Sequence, residues 1–213
     1  MSRIIVDSLR GNSASSDAIT LANDGTCTAN ITNNLSNRNL LINGEFNVWQ
    51  RGTSWSSGVN RYVMDRWYQW GYAAIPSRIT GTNGSQYGVR LQHNDAGSNT
   101  FSAFSSTLEK RDIVHTIGKH LTLTFWMRKG SAFTGNMSCQ VVARTDSEAK
   151  INSGTNVTIA NQNVASSLTT SWQKFTINTT QVVPTTEVVG VNFWHSNTSG
   201  TDANNYFEVS QVQ

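Results

Sequence analysis

The feature that most constrains the fold is a series of short segments in which apolar and polar residues alternate. These segments are YGVRLQH, HLTLTFWMRKG, NMSCQVVART, NVTIA, SWQKFTIN, EVVGVNFWHS and NYFEVSQVQ. Alternation with period two places the apolar side chains on one face of a strand. The best helical candidate, residues 105–118, fits a helix only loosely, and a strand followed by a loop fits it equally well. Many short strands without interleaved helices predict an all-β fold, an antiparallel β-sandwich of the jelly-roll kind.

The composition suits a β-rich protein with few charges. Apolar residues make up 37% of the 213 residues and charged residues 14%, while 7 Trp and 8 Phe supply large areas for a core. The net charge of +3 comes from scattered residues and not from a basic stripe, so a nucleic-acid partner is not expected.

The segment NLLINGEFNVWQRG, residues 39–52, has apolar residues on both sides of Asn43-Gly44. The apolar residues do not recur at helical spacing. The pattern predicts a short buried strand, a kink at Asn43-Gly44 and a second extended piece.

Residues 1–36 form a region without aromatic side chains. Ile19 and Leu21 precede Asn23-Asp24-Gly25, and alternating apolar residues follow it, which predicts a β-hairpin. A single hairpin with so thin an apolar row needs a partner surface, either the main domain or copies of itself. Residues 1–36 are therefore predicted to be an assembly and attachment arm, with a disordered leader as the alternative, and residues 37–213 the main domain.

Several segments of the main domain together resemble a known pattern. NLLINGEF, LTLTFWMRKG, SWQKFTI and YFEVSQVQ resemble the corresponding strands of carbohydrate-binding-like jelly rolls. FNVWQRGTS followed by DRWY is similar to the domain found in tail-fibre and appendage proteins of tailed bacteriophages. The resemblance covers about residues 37–213, and residues 1–36 more loosely resemble the thin leaders of trimeric phage fibres.

The resemblance implies a virion structural protein, a tail fibre or appendage that takes part in recognition of a host-surface glycan and in adsorption. The lack of a recognisable signal peptide indicates synthesis in the host cytoplasm. The arm predicts a homotrimer, since thin β arms gain a core by threefold association, and contacts with other virion proteins through residues 1–36. The alternative is a capsid or head–tail decoration protein with a purely structural role. A polysaccharide-cleaving appendage is a third class, but no pair of carboxylates stands out by spacing.

Strand phase gives the most specific prediction of a binding site. In LTLTFWMR the aliphatic row is Leu121, Leu123 and Phe125, so Trp126 and Arg128 lie on the opposite face. In VVGVNFWHS the same argument places Trp194 and Asn192 away from the core. If the two strands are neighbours, both indoles form one aromatic platform that a sugar could stack on; burial under a loop, the arm or a neighbouring subunit is the alternative.

A second group of aromatic residues lies in residues 48–74. Trp49 and Trp67 are expected in the core, whereas Trp55, flanked by Ser and Gly residues, is expected to be exposed in a loop. Trp70 and Tyr72 are the next candidates for sugar stacking.

The sequence contains no motif that indicates catalysis or a cofactor. No nucleophile elbow, zincin motif or phosphate loop is present, so an enzyme is not expected. Cys27 and Cys139 lack metal-ligand spacing and are expected to be buried thiols. The resemblance allows a structural calcium ion, which Glu45 and Glu208 could help to hold, but no ligand spacing supports assigning one. No segment reads as a signal peptide or approaches the ~18 apolar residues of a membrane span.

Overall fold

The structure is a computed structural model that describes residues 6–29, 39–56, 60–71, 74–93, 101–146, 156–196 and 201–213. The chain divides into two compact units, Met1–Arg38 and Asn39–Gln213.

The first unit contains a three-stranded antiparallel sheet made of β1 (Ser8–Leu9), β2 (Ile19–Leu21) and β3 (Cys27–Ala29). The predicted hairpin is confirmed, since Leu21 pairs with Cys27. Its turn closes because Asp24 accepts hydrogen bonds from the Thr26 backbone and hydroxyl, at 2.9 and 2.7 Å, and Gly25 takes a φ of +84°. Strand β1 and the exposure of Cys27 were not foreseen from the sequence.

The second unit is a sandwich of two antiparallel sheets. Its strands are β4 (Arg61–Met64), β5 (Trp67–Gly71), β6 (Ala74–Thr80), β7 (Tyr87–His93), β8 (Phe101–Leu108), β9 (His120–Lys129), β10 (Asn136–Arg144), β11 (Asn156–Asn163), β12 (Gln173–Gln181), β13 (Val188–Ser196) and β14 (Tyr206–Ser210). Between β8 and β9 lie a single helical turn, α1 (Lys110–Ile113), and a 3-10 turn (Val114–Thr116). Among the described residues, no helix is long and apolar enough to cross a membrane.

The strand order is β11-β10-β13-β8-β5-β4 in the six-stranded sheet and β12-β9-β14-β7-β6 in the five-stranded sheet. Residues that alternate inward from both sheets fill the space between them. Trp67 stacks on Phe104 with centroids 4.7 Å apart, and Phe125 meets Phe193 edge to face at 5.0 Å. Burying each large apolar side chain contributes about 1.5–3 kcal/mol, so these rings compensate for the low aliphatic content.

The sequence correctly predicts the antiparallel β-sandwich. The seven segments named from their alternation are all strands, namely β7 and β9 to β14. It did not identify strands β4, β5, β6 and β8. The candidate helix at residues 105–118 is instead the end of β8 followed by the two short helical turns.

The prediction for residues 39–52 is wrong, because this segment contains turns and no strand. Asn43 adopts a φ of +57°, and its side-chain amide binds the Val48 backbone on both sides, with Nδ2 donating at 3.0 Å and Oδ1 accepting at 2.9 Å. These local bonds satisfy backbone groups that a strand would have paired. Phe46 is nevertheless fully buried, so the apolar pattern marked core contact and not extended backbone.

Candidate functional site

The four residues predicted from strand phase lie on two different surfaces. Trp126 and Arg128 point outward from β9 of the five-stranded sheet, whereas Trp194 and Asn192 point outward from β13 of the six-stranded sheet. The outward direction of both indoles agrees with the sequence. The shared platform does not form, because β9 pairs with β12 and β14, and β13 pairs with β10 and β8.

The other predicted residues are also separated. Trp70 points outward from β5 on the same face as Trp194. Trp55 is not an exposed loop residue: it is half-buried, packs against the core and lies under the Arg61 guanidinium at 5.3 Å. Tyr72 lies outside the described residues. Trp67 is fully buried, as expected, and Trp49 packs against the core.

The outer face of the six-stranded sheet carries a cluster of rings that we call the aromatic platform: Tyr62, Tyr68, Trp70, Phe101 and Trp194. Tyr62 and Tyr68 are directly paired on β4 and β5, with ring centroids 5.1 Å apart. Trp70 contacts Phe101 edge to face at 5.2 Å. The platform extends from β4 to β13, which is three strand spacings or about 14 Å.

Trp70 and Trp194 stand on either side of a small residue. Both pair with Ala103 on the intervening strand β8, so their backbones are two strand spacings, about 10 Å, apart. Ala103 is fully buried, and its neighbour on the same face, Ser105, is nearly so. Small side chains on β8 therefore form a floor between larger rings on both sides.

Polar side chains continue the face beyond the rings in an amide row made of Gln140, Asn161 and Asn192. Asn192 pairs with Gln140 across β13 and β10, and Gln140 pairs with Asn161 across β10 and β11. Asn192 Nδ2 donates to Gln140 Oε1 at 3.0 Å. Amide groups offer both donors and acceptors, which match the hydroxyl groups of a sugar.

Two polar atoms of this face have neither exposure nor a hydrogen-bond partner within the described ranges: Trp70 Nε1 and Asn192 Oδ1. An unsatisfied buried polar atom costs about 1–3 kcal/mol. A side-chain adjustment that brought either atom to a ligand hydroxyl would recover that free energy.

The aromatic platform and the amide row carry no charged side chain. Among the described strand residues that point outward from this sheet, the charged one is Arg144, which is 2% exposed and bound to Asp146 at 2.8 Å. It lies at the far end of β10, beside Val142, whereas Trp194 pairs with Ser138 near the opposite end. The face is therefore suited to an uncharged ligand.

Tyr62, Tyr68 and Gln140 were not singled out from the sequence, although the signal was available. In RWYQWG the buried residues Trp67 and Gln69 alternate with the half-buried residues Tyr68 and Trp70. Period two in this segment would have placed the last two on the outer face.

The carboxylates considered for calcium have other partners. Glu208 is fully buried and is bound by Arg90 at 2.6 Å and by Arg128. Glu45 accepts a hydrogen bond from Asn47 at 3.2 Å. In the part of the chain that the structure describes, no three His, Cys, Asp or Glu side chains are placed to hold a metal ion.

No protein-family model and no curated protein sequence matches this chain. Solved structures do match. One is a carbohydrate-binding module of the β-sandwich superfamily, described for its promiscuous specificity; its TM-score is 0.52 at 9% identity, over 74% of this chain and 62% of that one. Another is the enzymatically active domain of tailspike protein 4 of bacteriophage CBA120, with a TM-score of 0.50 at 11% identity, over 70% of this chain and only 19% of the tailspike chain. A Stig cyclase, Fisc, from Fischerella sp. TAU gives 0.52 at 12% identity, over 81% and 93%.

The second unit has the β-sandwich fold of carbohydrate-binding modules. The same fold is present in a tailspike domain and in a cyclase, so the likeness establishes the architecture and not the function.

Proposed function

We propose that the β-sandwich unit is a non-catalytic module that binds neutral glycans on the aromatic platform. The observation that carries this proposal is the combination of outward rings and an uncharged amide row on one face of the six-stranded sheet. Sugar rings stack on aromatic side chains through their apolar C–H faces, while amides hold the hydroxyl groups. Carbohydrate binding by a module of the same fold supports the proposal.

The binding test compares one residue type on the two outer faces. Neutral oligosaccharides are screened on an array, and the best ligand is titrated calorimetrically against the intact protein. Trp194→Ala and Tyr62→Ala should each weaken binding by roughly tenfold, since a ring contact contributes about 0.5–1.5 kcal/mol beyond the burial of its area. Trp126→Ala is the matched control and should have no effect.

Two results would reject this function. One is that no neutral glycan on the array binds the intact protein, even when presented in many copies to raise avidity. The other is that the double variant Tyr62→Ala, Trp194→Ala binds as the wild type does.

The biological setting that we propose is a tailed-phage tail fibre or appendage in which this module contributes to recognition of the host surface and to adsorption. The residues of FNVWQRGTS and DRWY and the tailspike domain with the same fold support it. Immunogold labelling of phage particles would test it, because a tail position agrees with adsorption. Labelling over the head would favour the alternative, a capsid or head–tail decoration protein.

Residues 1–36 are proposed to join copies of the chain into a homotrimer and to attach them to other virion proteins. The described part of the arm is a small sheet with mostly exposed side chains, including Leu9 and Leu21 at 51% and 41% exposure, so it lacks a core of its own. Sedimentation equilibrium should give three times the chain mass for the intact protein and one chain mass after deletion of residues 1–36. A monomeric intact protein at micromolar concentration would contradict the assembly role.

A further inference from the structure

The outer face of the five-stranded sheet carries an aromatic–cationic patch, which consists of Trp126, Arg128, Trp172 and Lys174. Trp126 and Lys174 are directly paired on β9 and β12. Arg128 lies two residues after Trp126 on the same face of β9, and its guanidinium carbon is 4.8 Å from the centre of the Trp172 ring. Lys174 is exposed and the two indoles are half-buried. The patch is separated from the aromatic platform by the whole thickness of the sandwich.

The guanidinium of Arg128 is held in place from two sides. Besides stacking on Trp172, it donates through Nε to Glu208, whose side chain is fully buried. Glu208 is held in turn by Arg90, which donates to it from Nε at 2.7 Å and stacks on Tyr206 at 3.9 Å. This arrangement fixes Arg128 before any ligand arrives, which lowers the entropic cost of binding.

The buried carboxylate does not use all of the donors of Arg128. Within the described residues, Nη1 and Nη2 of Arg128 have no hydrogen-bond partner, and the Lys174 ammonium has none either. Trp126 likewise makes no hydrogen bond and is not among the side chains packed on the core. The contact with Glu208 therefore explains the position of Arg128, but it does not explain why the half-buried Trp126 and the exposed Lys174 lie beside it.

The charge of this face is positive. All five strands of the sheet lie within the described residues, and the charged side chains that point outward from them are Arg90, Arg128, Lys174 and Glu208. Three cations and one carboxylate leave a net charge of +2. On the opposite outer face, the aromatic platform carries no charged side chain. The two outer faces of the sandwich therefore differ in charge.

From these contacts we infer that the aromatic–cationic patch is a second binding site, specific for saccharides that carry carboxylate groups. Trp126 offers a face for a sugar ring. The two free terminal nitrogens of Arg128 can bind a carboxylate in the bidentate fork geometry, and Lys174 can reach the same or the next carboxylate from across the strand pair. A neutral sugar would leave both cations unpaired, whereas a uronic acid residue satisfies ring and charge together.

The experiment is a calorimetric titration of the full-length protein with oligomers of galacturonate, mannuronate and glucuronate of defined length. Each oligomer is matched by its carboxyl-reduced form, which has the same backbone with primary alcohols in place of carboxylates. At least one acidic oligomer should bind about tenfold or more tightly than its reduced form, because charge-assisted hydrogen bonds are roughly twice as strong as neutral ones. Raising the salt from roughly 50 to 300 mM should weaken this binding severalfold.

Variants assign the binding to this face. Lys174→Gln removes an exposed cation that has no partner among the described residues, and Trp126→Ala removes an indole outside the core, so both should fold normally. Each should weaken binding of the acidic oligomer by about threefold to tenfold. Trp194→Ala and Tyr62→Ala, on the opposite face, should leave it unchanged, and circular dichroism checks that all variants keep the fold.

Three results would overturn the inference. The first is that none of the acidic oligomers binds. The second is binding that survives Lys174→Gln together with Trp126→Ala, or that depends on Trp194. The third is a dimer of residues 37–213 that Trp126→Glu dissociates, which would make the patch a contact between copies. The proposal of a second site is independent of the aromatic platform. Failure of the protein to bind neutral glycans would not change the expected affinity for the acidic oligomers.

Discussion

His93 and His195, one from each sheet, meet edge to face inside the sandwich with ring centroids 5.8 Å apart. Both are 1% exposed, and the rings of Phe133 and Phe207 lie 6.1 and 5.3 Å from the ring of His195. Neither ring nitrogen of His195 has a hydrogen-bond partner in the described part of the chain. An imidazole in such apolar surroundings is stable only in its neutral form.

This pair predicts that acid destabilises the fold. Burial, together with the charge of a protonated His93, lowers the pKa of His195 to about 3. In the unfolded chain a histidine has a pKa of about 6.5. Between these values the unfolded state binds a proton that the folded state does not, so the free energy of unfolding should fall by about 1.4 kcal/mol for each pH unit lost below 6.5.

Urea unfolding from pH 7 to pH 4 measures this dependence. His195→Phe should flatten the slope and cost little at pH 7, because it removes two unsatisfied nitrogens among aromatic neighbours. The exposed His115 provides the control, since His115→Phe should keep the wild-type slope. If His195→Phe leaves the slope as steep as before, buried His195 is not its source.

Loss of the buried Glu208 carboxylate should destabilise the fold more than loss of an exposed carboxylate. Glu208→Gln keeps the shape but leaves Arg90 and Arg128, which are 31% and 32% exposed, without their shared counter-ion. We expect a loss of about 1–3 kcal/mol in the free energy of unfolding, less than for a fully buried pair because both arginines reach solvent. Glu109→Gln, which removes a largely exposed partner of Arg66, should cost under about 0.5 kcal/mol. Equal effects of the two variants in chemical denaturation would refute this ranking.

The turn at Gly44 should tolerate no side chain. A Cβ built there would lie 2.0 Å from the carbonyl oxygen of Val212, whose N–H in turn donates to the Gly44 carbonyl at 2.9 Å. Gly44→Ala must separate these two segments, so we expect a loss of about 2–4 kcal/mol and a matching drop in Tm. Gly84→Ala, at an open position with a φ of +89°, should cost only about 1–2 kcal/mol. A Gly44→Ala protein as stable as Gly84→Ala would show that this contact is not tight.

The amide row should contribute to glycan affinity without contributing much to stability. Asn192→Ala removes the donor to Gln140 and one unsatisfied oxygen. We expect about threefold to tenfold weaker binding of the neutral ligand, the value of one lost hydrogen bond. Asn178→Ala, which removes a hydrogen-bonded amide on the outer side of β12, should leave the affinity unchanged. Calorimetric titration of both variants distinguishes the faces, and a loss in Asn178→Ala instead would contradict the assignment.

Alternation along single strands explains how much of the fold the sequence reveals. Leu123, Phe125 and Met127 are buried and Trp126 is half-buried, as period two requires. The same rule placed Trp194 and Asn192 on an outer face. These are properties of one segment and its neighbours in the chain, so a sequence can report them.

Strand partners are properties of distant segments and could not be read in this way. Glu208 pairs with both Arg128 and Arg90, which lie 80 and 118 residues away in the chain. Nothing local distinguishes this register from one that sets β9 beside β13. The sequence prediction therefore joined Trp126 and Trp194 in one platform, although the two indoles lie on opposite outer faces. It also did not single out Tyr62 and Tyr68, which lie in a segment dense with core rings.

The position of β14 has a consequence for synthesis. Strand β14 lies in the middle of its sheet, between β9 and β7. Both neighbours precede it in the chain, so their facing edges can be paired only after residues 206–210 have been synthesised. Until then the two halves of that sheet have unsatisfied edges and an exposed apolar layer. A chain released before residues 206–210 are made would keep these edges unpaired and this apolar layer in solvent, which exposes it to aggregation and proteolysis.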